Sequence, residues 1–224
     1  MNPTDSPSST RRQAAVAARA LGVTLQFAWS GIAISDGRLG VAVVPQADGR
    51  LGVKVTGTPG LTGFDQAALI TQDRAHADYA PDEVRLEGTR LRCEAANFYT
   101  PALREGFTLD LEPPMAACLA AWLPRLRRTA ELAAQLASTV RAHAASAWGP
   151  FPESACASLV ATVFLDGLSV PAAQRASAVY LTTLSREDRW HDAFTAPDVQ
   201  QLLEAVAEEG GHGRLATTAS EDTP

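Results

Sequence analysis

The hexapeptide Asp36-Gly-Arg-Leu-Gly-Val41 recurs as Asp48-Gly-Arg-Leu-Gly-Val53, twelve residues further along the chain. Asp-Gly is typical of a tight hairpin turn, because glycine readily adopts the positive φ that such turns require. Aliphatic residues flank both copies, and a spacing of twelve residues fits one strand plus one turn. The repeat therefore predicts consecutive strands of an antiparallel meander.

The segments around the meander show helix or strand periodicity. In the hairpin candidate, Val84, Leu86 and Leu91 alternate with charged residues. The elements predicted for the N-terminal half are, in order, a helix over Thr10–Leu21, a strand over Val23–Trp29, the meander up to Thr56, a helix over Thr62–His76 and a hairpin over Glu83–Ala95.

The C-terminal half is helical in pattern. Apolar residues recur every three or four positions over Pro114–His143, which predicts a long amphipathic helix that Pro124 either kinks or begins. A break follows at Trp148–Pro152. Further helices are expected to begin near Ser169, Ser185 and Thr195, where capping residues precede helical sequence.

These patterns predict an α+β protein, in which helices cover an antiparallel meander sheet and a helical subdomain follows. The predicted boundaries are a disordered arm over residues 1–9, an α+β domain over 10–149, a helical subdomain over 150–209 and a disordered tail over 210–224.

Composition favours a cytoplasmic protein without cofactor or metal. The chain has 224 residues, of which 46% are hydrophobic, yet no apolar run is long enough to span a bilayer and no secretory signal begins it. Three cysteines at irregular spacings indicate free thiols, neither a disulfide framework nor a metal site. The glycine run Gly57–Gly63 lacks the lysine of a phosphate loop and is interpreted as a turn.

Basic charge is concentrated at one place. Residues 1–149 carry a net charge of +1 and residues 150–224 a net charge of −7, so a nucleic-acid site would have to lie in the first part. The arginines that could form it are Arg104, Arg125, Arg127, Arg128 and Arg141. The alternative interpretation is the solvated side of an amphipathic helix.

Catalytic chemistry has little support in the sequence. No nucleophile elbow and no paired histidines occur, so no catalytic residue is assigned. An enzyme would need a site assembled from distant residues, for which His76, Cys93 and His191 are the candidates.

The order of the predicted elements, α-β-β-β-α-β-β-α over residues 10–145, resembles the type III secretion chaperone-like fold. That resemblance implies an acidic, cytoplasmic, dimeric and non-enzymatic protein that binds segments of other proteins. The predicted function is therefore protein binding of the adaptor or chaperone-like kind, with homodimerisation through an apolar face left over on the sheet or the long helix. A nucleic-acid-associated protein is the first alternative and an enzyme the second.

Overall fold

The computed structural model describes residues 7–28, 30–57, 83–96, 104–143, 151, 153–175 and 189–218. The chain is an α+β protein, as predicted, with two antiparallel sheets and helices. Its elements are α1 (Pro7–Ala20), β1 (Thr24–Ala28), β2 (Gly31–Ser35), β3 (Leu39–Pro45), β4 (Leu51–Gly57), β5 (Glu83–Glu87), β6 (Arg90–Ala96), β7 (Arg104–Asp110), α2 (Pro113–His143), α3 (Glu153–Phe164), α4 (Arg189–Phe194) and α5 (Pro197–Thr218).

The first sheet is the predicted meander, with strand order β1-β2-β3-β4. Each copy of the hexapeptide begins in one of its turns and runs into the following strand. Gly37 and Gly49 adopt φ values of 91° and 87°. The carboxylate of Asp36 accepts hydrogen bonds from the backbone N–H groups of Arg38 and Leu39, both at 2.8 Å. These bonds lower the pKa of Asp36.

The two turns differ in length although their sequences repeat. Gly37 is the first of two central residues, between the hydrogen-bonded Asp36 and Leu39. In the second turn Gln46 bonds to Arg50, and Gly49 is the last residue of a three-residue loop. Both geometries need a positive φ at the glycine. The hexapeptide therefore specifies a hairpin but not one turn type.

We predict that replacing Gly37 or Gly49 by valine lowers the free energy of unfolding by about 1–3 kcal/mol, because a β-branched residue is strained at positive φ. Urea denaturation measures the loss. Arg38→Val, at an exposed position beside Gly37, is the matched control and should change stability by less than about 0.5 kcal/mol. Equal stability of both glycine variants and the parent would contradict the structural role of the repeat.

The second sheet has the order β5-β6-β7. The hairpin predicted over Glu83–Ala95 is confirmed as β5 and β6, which turn at Gly88 with φ 61°. The hairpin does not extend the meander, since β6 pairs on its other side with β7. The helix predicted over Thr62–His76 lies outside the described residues.

Helix α2 is the centre of the core. The apolar periodicity predicted over Pro114–His143 includes Leu119, Leu126, Ala133 and Val140, and all four side chains are completely buried. These residues belong to one continuous hydrophobic cluster with the inward residues of both sheets and with α3 and α5. The helix continues through Pro124, whose side chain is exposed. The core of the helical C-terminal part is therefore joined to that of the α+β part.

The ends of two predicted segments differ from the structure. Helix α1 begins at Pro7, inside the stretch predicted to be a disordered arm, and proline suits a first helical turn. Helix α5 continues to Thr218, well into the predicted tail. It packs closely at Gly210, where a Cβ atom would lie 2.9 Å from the carbonyl oxygen of Phe164. Helix α5 begins at Pro197, two residues after Thr195, the predicted cap, whose hydroxyl donates to the carbonyl of Asp192.

Helix α1 is attached to both halves of the chain. The guanidinium of Arg11 forms an ion pair with Asp166, in the loop after α3, and lies 5.0 Å from the ring centre of Phe27 in β1. The Phe27 ring in turn contacts Trp122 of α2 edge to face, with centroids 4.9 Å apart. We call Arg11, Phe27, Trp122 and Asp166 the α1 clamp.

The expected leftover apolar face is not found in the described part of the chain. There the large hydrophobic side chains that are exposed are Val16 and Leu21, at the end of α1 and in the turn after it. The inward aliphatic residues of the sheets and of α2 are buried in the core, because they pack against one another and against the C-terminal helices. None of the described helices has the length and apolarity needed to cross a bilayer.

Candidate functional site

A groove of about 550 Å³ lies between the two sheets and α2. The β3–β4 turn forms one wall through Gly49, Arg50 and Leu51, and strand β5 forms the other. Its remaining walls come from α2 through Leu123, Arg127 and Glu131. We call this space the β5 groove.

Strand β5 is an edge strand within the described residues. Leu111 donates its N–H to the carbonyl of Thr89 at 2.8 Å. Residues 89 and 111 are therefore a hydrogen-bonded pair, and by alternation β6 bonds to β7 at residues 91 and 93. Because the two sides of an antiparallel strand alternate, β6 bonds to β5 at residues 90, 92 and 94. The backbone groups of Val84 and Leu86 therefore point away from β6, towards the open edge.

One of these outward groups is already used. The guanidinium of Arg127 donates a hydrogen bond to the carbonyl oxygen of Val84. The N–H of Val84 and both backbone groups of Leu86 have no strand beside them in the described part of the chain. An exposed strand edge of this kind is a template for pairing with another extended segment.

The charged side chains of the groove are balanced in sign. Arg85 pairs with Glu83 along β5, and Arg50 pairs with Asp48 in the turn. Glu131 accepts a hydrogen bond from Arg128 at 2.9 Å. The groove therefore has no excess of positive charge, which binding of a polyanion such as a nucleic acid would favour.

The arginines that the sequence singled out do not share one surface. Arg127 lies in the β5 groove. Arg125 lies over the rings of Trp122 and Phe164, at 5.4 and 6.0 Å from their centres.

Two of the remaining arginines are held by α3 and α5. Arg128 donates two hydrogen bonds to Glu209, at 2.6 and 2.8 Å. Arg141 bonds to Glu153 at 2.6 Å and covers the ring of Phe151. Arg104 is the first residue of β7, and its side chain lies outside the described part. Together with Arg125, which lies over Phe164, Arg128 and Arg141 therefore connect α2 to the helical C-terminal part.

The bidentate hydrogen bonds from Arg128 lower the pKa of Glu209 below its ordinary value of 4.5. We predict that Arg128→Met returns this pKa to its ordinary value, which NMR titration of the side-chain carboxyl measures. Glu131→Gln keeps the Arg128–Glu209 pair and is the matched control.

A lowered carboxyl pKa stabilises the fold above the pKa of the unfolded chain, and the contribution is lost as the pH falls through the folded pKa. Any stability difference between the parent and Arg128→Met should therefore shrink as the solution is acidified below pH 4.5. A Glu209 pKa that does not respond to Arg128→Met would contradict this assignment.

The candidate enzyme residues form no site in the described structure. Cys93 is buried in β6, where burial raises the pKa of its thiol to about 12. His76 lies outside the described residues, and the side chain of His191 in α4 does as well. All three cysteines are free, and burial raises the pKa of Cys156 to about 12 also. Among the described residues no group of three or more potential metal ligands occurs.

Sequence patterns did not identify Leu86 and Val84 as site residues. Their alternation with Glu83, Arg85 and Glu87 predicted a strand, but strand alternation is the same at an edge and at the centre of a sheet. Which side of the hairpin is covered depends on β7, since that strand pairs with β6.

Comparisons with protein-family models, with curated proteins and with solved structures found no match to this chain.

Proposed function

We propose that this chain is a cytoplasmic, non-enzymatic protein of the adaptor or chaperone-like kind, which binds an extended polypeptide segment by strand addition at β5. The observation that carries the proposal is the edge at Val84 and Leu86, which is open among the described residues and faces the β5 groove. Strand addition takes most of its affinity from backbone hydrogen bonds and its specificity from pockets for alternate side chains.

Two further observations support this class of function. Arg128 and Arg141 are bonded to Glu209 and Glu153, so a phosphate backbone would have to compete with carboxylates for them. Burial raises the pKa of the Cys93 and Cys156 thiols to about 12, which disfavours the thiolate that a nucleophilic role needs.

A photo-cross-linking amino acid at Glu131, an exposed position in the groove, tests the proposal. The same amino acid at Ser138, exposed on α2 two turns further on and outside the groove, is the matched control. Irradiation in native cell extract treated with nuclease should give protein adducts at position 131 and few at position 138.

The variant Leu86→Pro separates strand addition from other contacts in the groove. Proline removes the outward N–H, which the β5–β6 ladder does not use, and proline is tolerated on edge strands. It should suppress the adducts at position 131. Nucleic-acid adducts at that position, or equal adducts at 131 and 138, would overturn the proposed function.

A further inference from the structure

We infer that the extended segment bound at β5 is β5 of a second copy of this chain, paired antiparallel about a two-fold axis at Leu86. This inference rests on the proposed function and names the partner of the same edge. Such pairing would join two copies of the second sheet into one six-stranded sheet in the order β7-β6-β5-β5-β6-β7. A two-fold interface of this type uses the same surface on both copies.

The backbone restricts the possible registers. Only residues whose N–H and C=O groups point outward can bond to the second copy, and within β5 these are Val84 and Leu86. A symmetric antiparallel pair therefore has residue 84, 85 or 86 on its axis, or residue 87 if Leu86 bonds to Gly88 in the turn after β5. Val84 on the axis would need its carbonyl for the central pair of bonds, but that carbonyl accepts a bond from Arg127.

Charge selects among the registers that remain. With Arg85 on the axis, two Arg85 side chains would lie opposite each other, and with Glu87 on the axis two Glu87 side chains would do so. Like charges placed directly opposite destabilise a strand pair. With Leu86 on the axis, each Arg85 lies opposite Glu87 of the second copy, so the pair gains two contacts between opposite charges.

The same register continues a charge pattern already present on the second sheet. Asp110, Arg90 and Glu87 lie in one row across β7, β6 and β5, and Asp110 accepts a hydrogen bond from Arg90 at 3.0 Å. Arg85 of the second copy would be the next residue in that row, about 4.8 Å further on. The row would then alternate in sign from Asp110 as far as Arg85 of the second copy, after which Arg92 of the second copy follows. Arg85 is 58% exposed and already pairs with Glu83 on its own strand, so in the dimer it would lie between Glu83 and Glu87 of the second copy.

Charge-reversal variants test the register. The parent should sediment at micromolar concentration with a mass near twice 23.6 kDa. Arg85→Glu alone and Glu87→Arg alone should each weaken dimerisation by about tenfold or more, because each turns both cross-strand contacts into repulsions. The double variant should recover the dimer. A mixture of the two single variants should form a heterodimer, in which both contacts are again attractive.

Circular dichroism melting of each variant checks that a variant which no longer dimerises is still folded. The mixture provides a second check, because two single variants that form a heterodimer with each other must both be folded. A dimer insensitive to these charge reversals would overturn the inference. A monomeric parent would overturn it as well. If that monomer still gives polypeptide adducts at position 131 that Leu86→Pro suppresses, the proposed function stands without the inference. If it gives none, both fail.

Discussion

Replacing Leu126 by alanine is expected to lower the free energy of unfolding by about 2–5 kcal/mol. Leu126 has no exposed surface and belongs to the core cluster that joins both sheets to the C-terminal helices. Removing three carbon atoms loses their burial and leaves a cavity that the surrounding elements fill only in part. The midpoint of urea denaturation, with an unchanged slope, measures the loss.

Gln135→Ala is the matched control for this prediction. Gln135 lies on the same helix but its side chain is exposed, and alanine favours a helix. The control should stay within about 0.5 kcal/mol of the parent. A loss below about 1 kcal/mol for Leu126→Ala would contradict the position of α2 at the centre of one core.

Replacing Gly31 by alanine should have a comparable effect, about 3 kcal/mol, at the upper end of the usual cost of overpacking. A Cβ atom at this position would lie 2.2 Å from the carbonyl oxygen of Val43 and 2.9 Å from the Cα atom of Val44. Both atoms are backbone atoms of the neighbouring strand, so β2 and β3 would have to separate locally. Thermal and urea denaturation both measure the resulting loss.

Gly52→Ala is the control within the same sheet. A Cβ atom there meets the end of the Gln46 side chain at 2.8 Å, and the next atom, the carbonyl oxygen of Val44, is 3.5 Å away. Because the Gln46 side chain can rotate away, the cost should be below about 1 kcal/mol. Equal effects of Gly31→Ala and Gly52→Ala would show that the close approach of β2 and β3 is not what restricts position 31.

Local sequence was sufficient where one pattern determines one element. The Asp-Gly repeat predicted the meander because glycine at positive φ and strand alternation act over a few residues. The apolar periodicity of α2 predicted its buried face for the same reason. The end of α5 was not predicted, because three glycines after Glu209 are poor helix formers and the packing of Gly210 on Phe164 depends on a distant segment.

The candidate site was harder to predict than the fold. The arginine concentration around Arg125 is real in the sequence, but the partners of its members come from α3 and α5, far along the chain. The open edge of β5 follows from the pairing of β6 with β7, which is tertiary information. Helical spacing could show that Arg125 and Arg128 share a face, but not that Glu209 would bind one of them.

The α1 clamp has a consequence for how the protein is made. Arg11 and Asp166 are separated by most of the chain, and every strand of both sheets lies between them in the sequence. A ribosome releases the N-terminal residues first, and long-range contacts form only after both ends exist. The ion pair between Arg11 and Asp166 can therefore form only after the loop after Phe164 has left the exit tunnel, whereas the contact of Arg11 with Phe27 is local in sequence and does not have to wait. During that interval Arg11 lacks its carboxylate partner, so the attachment of α1 to the C-terminal part is the last contact of the α1 clamp to form.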